Sequence, residues 1–186
     1  MFHGAFIGTT GSGKTFGARQ LAKVYLKQGY DVIALHKADE AWHKDEQTIQ
    51  TAFPEIFLEQ IELRNALNDS YAKQGLKHLI KGFVGFIEMA DADANKYDTR
   101  FHLLFRKGRH KGHKFFFLSQ RAQIVHPDIR ENCSELFLFS CYHKAAKLWA
   151  EELNDDILLK ASKLPPYQFY HKKNRFDPAV LRMLKI

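Results

Sequence analysis

Short apolar runs alternate with stretches of helical periodicity along most of this chain. The runs are Phe2–Ile7, Tyr30–Leu35, Phe83–Glu88, Phe115–Leu118 and Leu136–Cys141, each of a length that suits a buried strand. After the first run, Ala18, Leu21, Ala22, Tyr25 and Leu26 recur on one helical face, and Gly29 suits the stop. Residues 48–80 read as mostly helical. Pro54 opens one helix carrying Ile56, Phe57, Ile61 and Leu63, and a second follows a break near Gly75 with Leu76, Leu79 and Ile80. Tyr97–Phe105 is expected as a helix with Phe101, Leu104 and Phe105 inward, 122–134 as a loop with a short turn, and His143–Leu153 and Asp155–Ser162 as helices. Pro165 and Pro166 precede Tyr167–Tyr170, expected as an edge strand because proline is tolerated there. Pro178–Leu184 reads as a last short helix. Strand–helix–strand alternation with short connections predicts an α/β domain with a mostly parallel sheet and right-handed crossovers.

The junction between the first run and its helix carries the most specific chemistry. Gly8-Thr9-Thr10-Gly11-Ser12-Gly13-Lys14-Thr15 fits Gly-x-x-x-x-Gly-Lys-Ser/Thr at every fixed position. Glycines let such a loop curl so that its N–H groups point at phosphate oxygens. Lys14 is placed to reach the β- and γ-phosphates, and the Thr15 hydroxyl to ligate Mg²⁺. The N-terminus of the following helix, with Phe16 in its first turn, adds its positive dipole end. The loop sits between an apolar strand and an amphipathic helix, the context the motif requires. ATP and Mg²⁺ are therefore the expected ligands.

Other candidates cluster at predicted strand ends, where ligands bind in open α/β sheets. Glu88 ends the third run, as an acid that holds Mg²⁺ directly or through water does. Met89 follows it where a second acid would polarise water, and Asp91 and Asp93 come within one turn. Either Glu88 serves alone or Asp91 takes one of the two roles. Alternatively these acids only begin a helix. The polar stretch 36–42 offers Asp39 and Glu40, with a plain solvated loop as the simpler reading. Gln120, closing the fourth run, can orient water or sense a γ-phosphate. Arg106–Lys114 holds five lysines and arginines in nine residues and reads as a loop. It is a solvated charge run, a contact for a nucleic-acid backbone, or a source of an arginine finger.

Composition narrows the partners. The chain has 186 residues, 45% hydrophobic and 26% charged, with a net charge of +7. That length suits one domain, residues 1–186, with a basic tail from about 171 to 186 carrying Lys172, Lys173 and Arg175. Positive charge spread along the chain favours an anionic partner beyond the nucleotide. Cys133 and Cys141 lack zinc-site spacing and read as buried thiols of a reducing compartment. His110 and His113 lie close together without a further pair at ligand spacing, which argues against a metal there. No run reaches membrane-span length, and no signal-peptide pattern is expected, which together suggest a cytoplasmic protein.

The order of these features resembles the viral genome-packaging ATPases of the HerA–FtsK superfamily, as found in tectivirus-like phages. The resemblance rests on the P-loop, the acid-ended strand at Glu88, the Arg109-His110 pair before a strand, and Leu118-Ser119-Gln120-Arg121 at that strand's end. It implies a RecA/FtsK-like P-loop NTPase, a three-layer sandwich around a mostly parallel central sheet. It further implies an ATP-hydrolysing homo-oligomeric ring that translocates double-stranded DNA, acting in the host cytoplasm or at a packaging vertex beside capsid or membrane proteins. Carried over by position, Lys14 and Thr15 bind nucleotide and Mg²⁺, and Glu88 is the Mg²⁺-side acid. Arg109 is the finger acting on a neighbour's nucleotide, and Gln120 is the sensor. Arg121 and Arg130 have weaker claims to interface or phosphate roles. The basic loops Arg106–Lys114 and Lys172–Arg175 face DNA. Met89 departs from the family pattern and leaves the catalytic base open. Two other readings stand beside this one: a small-molecule or nucleoside kinase, and a non-hydrolysing, nucleotide-gated DNA-binding or assembly protein.

Overall fold

The structure, a computed structural model, describes residues 3–36, 48–76, 81–88 and 99–185. Its frame is one eight-stranded sheet. In chain order the strands are β1 (His3–Ile7), β2 (Val32–Leu35), β3 (Thr48–Thr51), β4 (Val84–Glu88), β5 (Lys114–Ser119), β6 (Cys133–Phe139), β7 (Gln168–Lys172) and β8 (Val180–Met183). Spatially they run β3-β2-β4-β5-β1-β6-β7-β8. The first six are parallel, and β7 and β8 join antiparallel. The fold class read from the sequence is thus the one observed.

The two sheet faces are covered unequally. One face packs α1 (Lys14–Lys27), through Ala18 and Ala22, on a layer of phenylalanines: Phe6, Phe86, Phe116, Phe137, Phe139 and Phe169. The Phe6 and Phe137 rings stack at 4.2 Å between centroids. Small helix residues over large strand residues let α1 sit close, which fixes the loop that starts it. The other face carries α2 (Pro54–Lys73), α3 (Thr99–Lys107), α4 (Pro127–Glu131) and α5 (His143–Leu153), over Ile7, Ile33, Phe115, Phe117 and Leu138. Trp149 of α5 and Phe57 of α2 are fully buried there.

Several local expectations need correction. Residues 48–51 form an edge strand. Thr48, Ile49 and Thr51 suit the extended backbone of a pairing edge, and β3 lies in register beside β2. The helix opened by Pro54, α2, ends at Lys73, at the break expected near Gly75, and residues 77–80 of the second helix expected there lie outside the described residues. Residues 133–134, expected to be loop, start β6, and 122–131 hold a one-turn 3₁₀ segment (Ala122–Ile124) and α4. Residues 156–163 are helical, as expected for that stretch, in the tighter 3₁₀ form. β7 is interior, because 180–183, expected to be helical, form β8 on its outer side.

The basic segments are also less free than their composition suggests. Lys114 is buried within β5, its Nζ donating to Glu135 Oε2 at 2.7 Å and lying over the Phe116 ring. Lys111 pairs with Asp69 at 2.8 Å. Arg106 and Lys107 end α3, and 108–111 form a 3₁₀ turn. Lys172 is 2% exposed, with Nζ on Asp155 Oδ2 at 3.0 Å and on the Asp177 carbonyl at 2.6 Å. Arg175 donates to the Glu131 carbonyl. The segment from 171 onward is therefore part of the sheet and its turn, not a basic tail. Both cysteines are free and buried.

Two buried histidines finish the sheet. Their Nδ1 atoms accept backbone N–H groups, His113 from Phe83 at 2.8 Å and His3 from Phe115 at 2.9 Å. An accepting Nδ1 carries no proton. Burial, the largest influence, and nearby cations together lower His3 from 6.5 to about 3 and His113 from 6.5 to about 4. His113 thus closes a strand instead of pairing with His110.

The fold yields two expected outcomes. Because both histidines are neutral in the folded state and protonate near 6.5 when unfolded, their contribution is complete above pH 6.5 and declines as pH falls toward 4. Each costs about 1.4 kcal/mol per pH unit in that window. Urea midpoints from pH 7.5 to 4.5 measure this, and His113→Gln is expected to flatten the slope. Glu135→Gln leaves the buried Lys114 cation without its counter-charge. It is expected to destabilise by about 3 kcal/mol in equilibrium unfolding.

Candidate nucleotide site

The loop from Gly8 to Gly13 leaves the carboxyl end of β1 and is fastened on three sides. Gly8 N–H donates to the carbonyl of Ser119, the last residue of β5, at 3.2 Å. Thr9 N–H donates to the Ser140 carbonyl at 2.8 Å, at the end of β6, and the Thr9 hydroxyl donates to the same oxygen. Tyr167 N–H donates to the Ser12 carbonyl at 2.9 Å. Gly13 is the N-cap of α1 with φ 96°, a left-handed conformation that a side chain opposes. At Gly8 space is the limit: an added Cβ would lie 2.5 Å from Ser12 Oγ and 2.8 Å from Phe139 Cβ.

Sheet order then brings the acid to the loop. β5 lies between β1 and β4, and Glu88 is in register with Leu118, one residue before Ser119. The Thr15 hydroxyl donates to Glu88 Oε1 at 3.1 Å, and Lys14 Nζ lies 3.9 Å from the same oxygen. Lys14, Thr15 and Glu88, chosen from sequence alone, thus converge. Gln120 follows Ser119 at the end of the intervening strand and is exposed.

The two oxygens suit a small hard cation. Adjacent corners of a Mg²⁺ octahedron with 2.0–2.1 Å metal–oxygen distances lie about 2.9 Å apart. Thr15 Oγ1 and Glu88 Oε1 are at nearly that separation. Asp91, Asp39 and Glu40 lie outside the described residues.

One participant escaped sequence reasoning. His36, 6% exposed, follows β2, whose register with β4 pairs Leu35 with Ile87. The next position faces Glu88, and His36 Nδ1 contacts Glu88 Oε2. The only signal in the chain is a histidine one residue past an apolar strand, and it means nothing until β2 and β4 are known to be neighbours. Burial by itself raises the Glu88 pKa. The His36 hydrogen bond and charge, Lys14 and the Thr15 hydroxyl outweigh it and hold the carboxyl below its ordinary range. Glu88 is therefore an anion poised to hold a cation and a weak proton acceptor.

The three candidate arginines differ in placement. Arg109 is exposed in the turn before β5, whereas Gln120 follows that strand's other end. Six residues of strand separate the two ends by roughly 20 Å, so Arg109 does not join the P-loop of its own chain. Arg130 is committed internally, contacting Glu152 Oε1 and donating Nε to the Val125 carbonyl at 3.1 Å. Arg121 is exposed beside Gln120, its N–H donating to Ser119 Oγ. Away from the loop, His102, His126 and Asp128 come within 4.8 Å of one another, a grouping with no sequence spacing to reveal it. There His126 Nδ1 accepts the Asp128 N–H that starts α4, and its ring stacks on His102.

No protein-family model and no curated protein matches the chain. Solved structures do. The genome-packaging NTPase B204 of Sulfolobus turreted icosahedral virus 2, in complex with sulfate, superposes with a TM-score of 0.78 at 13% identity, over 100% of this chain and 97% of that one. The pCW3 conjugation coupling protein TcpA, with ATPγS, gives 0.71 at 20% identity, over 98% of this chain and 59% of that one. The cytoplasmic domain of the type VII secretion ATPase EccC from Thermomonospora curvata gives 0.63 at 18%, over 97% of this chain and 25% of that one. The chain has the P-loop NTPase fold of these packaging, coupling and secretion ATPases, as the order of its motifs implied.

Proposed function

We propose that this chain hydrolyses ATP to move double-stranded DNA, working as a ring of identical subunits that packages a viral genome. The observation that carries the reading is the convergence of Lys14, Thr15 and Glu88 at one loop, with Gln120 at the end of the strand between β1 and β4. The likeness to a viral genome-packaging NTPase and a conjugation coupling protein supports DNA as the substrate. So do the net charge of +7 and the exposed Arg106, Lys107 and Arg109. Of Lys172–Arg175, Lys172 contributes little, since it is buried in an ion pair at the end of β7, and Arg175 donates to the Glu131 carbonyl.

Phosphoryl transfer to water asks a protein mainly for positioning and charge neutralisation. The loop N–H groups and Lys14 hold the β- and γ-phosphates. Thr15 and Glu88 hold Mg²⁺, which supplies neutralisation of phosphate charge. The Gln120 amide orients the attacking water. Arg109 of one subunit approaches the phosphates of the next, because it is too far from its own. Head-to-tail contacts of that kind close into rings. Capsid or membrane vertex proteins in the host cytoplasm are the proposed docking partners. Among the described residues, no helix is long and apolar enough to cross a membrane.

One observation favours a second reading, a nucleotide-gated binder with little turnover. Both Glu88 oxygens are engaged, one by Thr15 and one by His36, and Met89 supplies no second acid.

Steady-state phosphate release separates the two readings. Turnover is expected to rise with protein concentration and again with double-stranded DNA. Arg109→Ala is expected to lower it about 1,000-fold, the range of a trans arginine, with ATP binding retained. Lys14→Ala is expected to weaken ATP binding about 10- to 100-fold. Mixing the two inactive variants should restore part of the activity, because mixed interfaces pair an intact loop with an intact Arg109. Concentration-independent turnover without DNA response defeats the ring motor. Tight ATP binding with no turnover establishes the gated binder.

A further inference from the structure

The phosphate loop explains how a triphosphate is held but not how the rest of a nucleotide is recognised. The open cavity above it is lined by loop residues from Thr9 to Phe16 and by one residue from far along the chain, Tyr167. We propose that the Tyr167 ring is the platform on which the nucleotide base stacks, so that the site selects nucleoside triphosphates over bare polyphosphate. The proposal rests on reading the loop as a nucleotide site.

Tyr167 has an unusual backbone. Its φ is 65°, and Asn154 is the only other non-glycine at positive φ among the described residues. Asparagine tolerates that region through local hydrogen bonding, whereas a bulky aromatic residue does not. The surroundings hold the conformation in place. Tyr167 N–H donates to the Ser12 carbonyl at 2.9 Å, and Leu184 N–H donates to the Tyr167 carbonyl at 2.9 Å. Strain of this kind persists where the structure over-determines it and is concentrated at ligand sites.

The conformation places the ring against the loop. A Cβ built on Gly13 would lie 2.8 Å from Tyr167 Cδ1, so the ring edge touches the start of α1. Tyr167 nevertheless stays 39% exposed. Core packing therefore does not account for it. Phe16, one residue past Thr15, lines the same cavity and is half-buried. With the phosphates on the loop N–H groups, the base must project past the loop, and an exposed aromatic face stands beside it. Base–aromatic stacking tolerates any base, because every base has a π-face. The site then reads the presence of a base more than its identity.

The test compares dissociation constants of the full chain for ATP and for inorganic tripolyphosphate, in wild type, Tyr167→Gly and Tyr167→Phe. Glycine accepts φ 65° without strain and keeps both backbone hydrogen bonds, so it removes the ring alone. The expected result is a loss of about tenfold or more in ATP affinity for Tyr167→Gly, with tripolyphosphate unchanged and Tyr167→Phe restoring ATP binding. The proposal is overturned if Tyr167→Gly binds ATP as wild type does, or loses tripolyphosphate equally, which would make the ring a prop for the loop. A wild type that binds ATP no more tightly than tripolyphosphate overturns it without any variant. A wild type that binds neither ligand refutes the nucleotide site itself, a separate outcome.

Discussion

Everything at this site depends on the backbone fastening of one loop. Gly8 and Thr9 donate N–H groups to carbonyls at the ends of β5 and β6, and the Ser12 carbonyl accepts from Tyr167. A phosphate cradle works through N–H groups held in a fixed concave arrangement before the ligand arrives. Here three separate strand ends supply that rigidity. β5 contributes twice, because Ser119 anchors the loop and Leu118 sets the register that delivers Glu88. The convergence of Lys14, Thr15 and Glu88 follows from strand order more than from any attraction among the three.

The parts of the fold legible in the sequence were those governed by local rules. The P-loop, the strand ending at Glu88, the Phe115–Leu118 run and the helix over 143–153 have strong periodicity or fixed spacing, and all appear where expected. The misreadings were decided by tertiary neighbours. Thr48–Thr51 and Val180–Met183 are four residues each, too short for periodicity to outweigh the availability of a strand edge to pair with. His36 belongs to the site only because β2 lies beside β4. Tyr167 reaches the loop only because β7 lies across β6. Both facts live in topology, which a linear pattern does not hold.

Charge was misjudged for a related reason. Lys114 and Lys172 read as surface cations because lysine usually is one, yet each is buried against a carboxylate from another element, Glu135 and Asp155. Desolvation would expel either lysine alone, and a partner contributed by the fold retains it. Arg106, Lys107 and Arg109 remain exposed, at the end of the sheet away from the P-loop, so they stay available to an anionic polymer where Lys114 and Lys172 do not.

The central strand has a temporal consequence. β1 precedes the strands it pairs with, and His3 and Thr9 bond to partners 112 and 131 residues later, while the Ser12 carbonyl waits for Tyr167. Non-local parallel pairing of this kind is slow, because the loop-closure entropy is lost before any contact compensates it. On a ribosome, the segment that binds phosphate emerges before the strands that fasten it. Until the β7–β8 hairpin is made, the loop is held by the ends of β5 and β6 but lacks its Tyr167 wall. Nucleotide affinity therefore reports on whether the β7–β8 hairpin has folded.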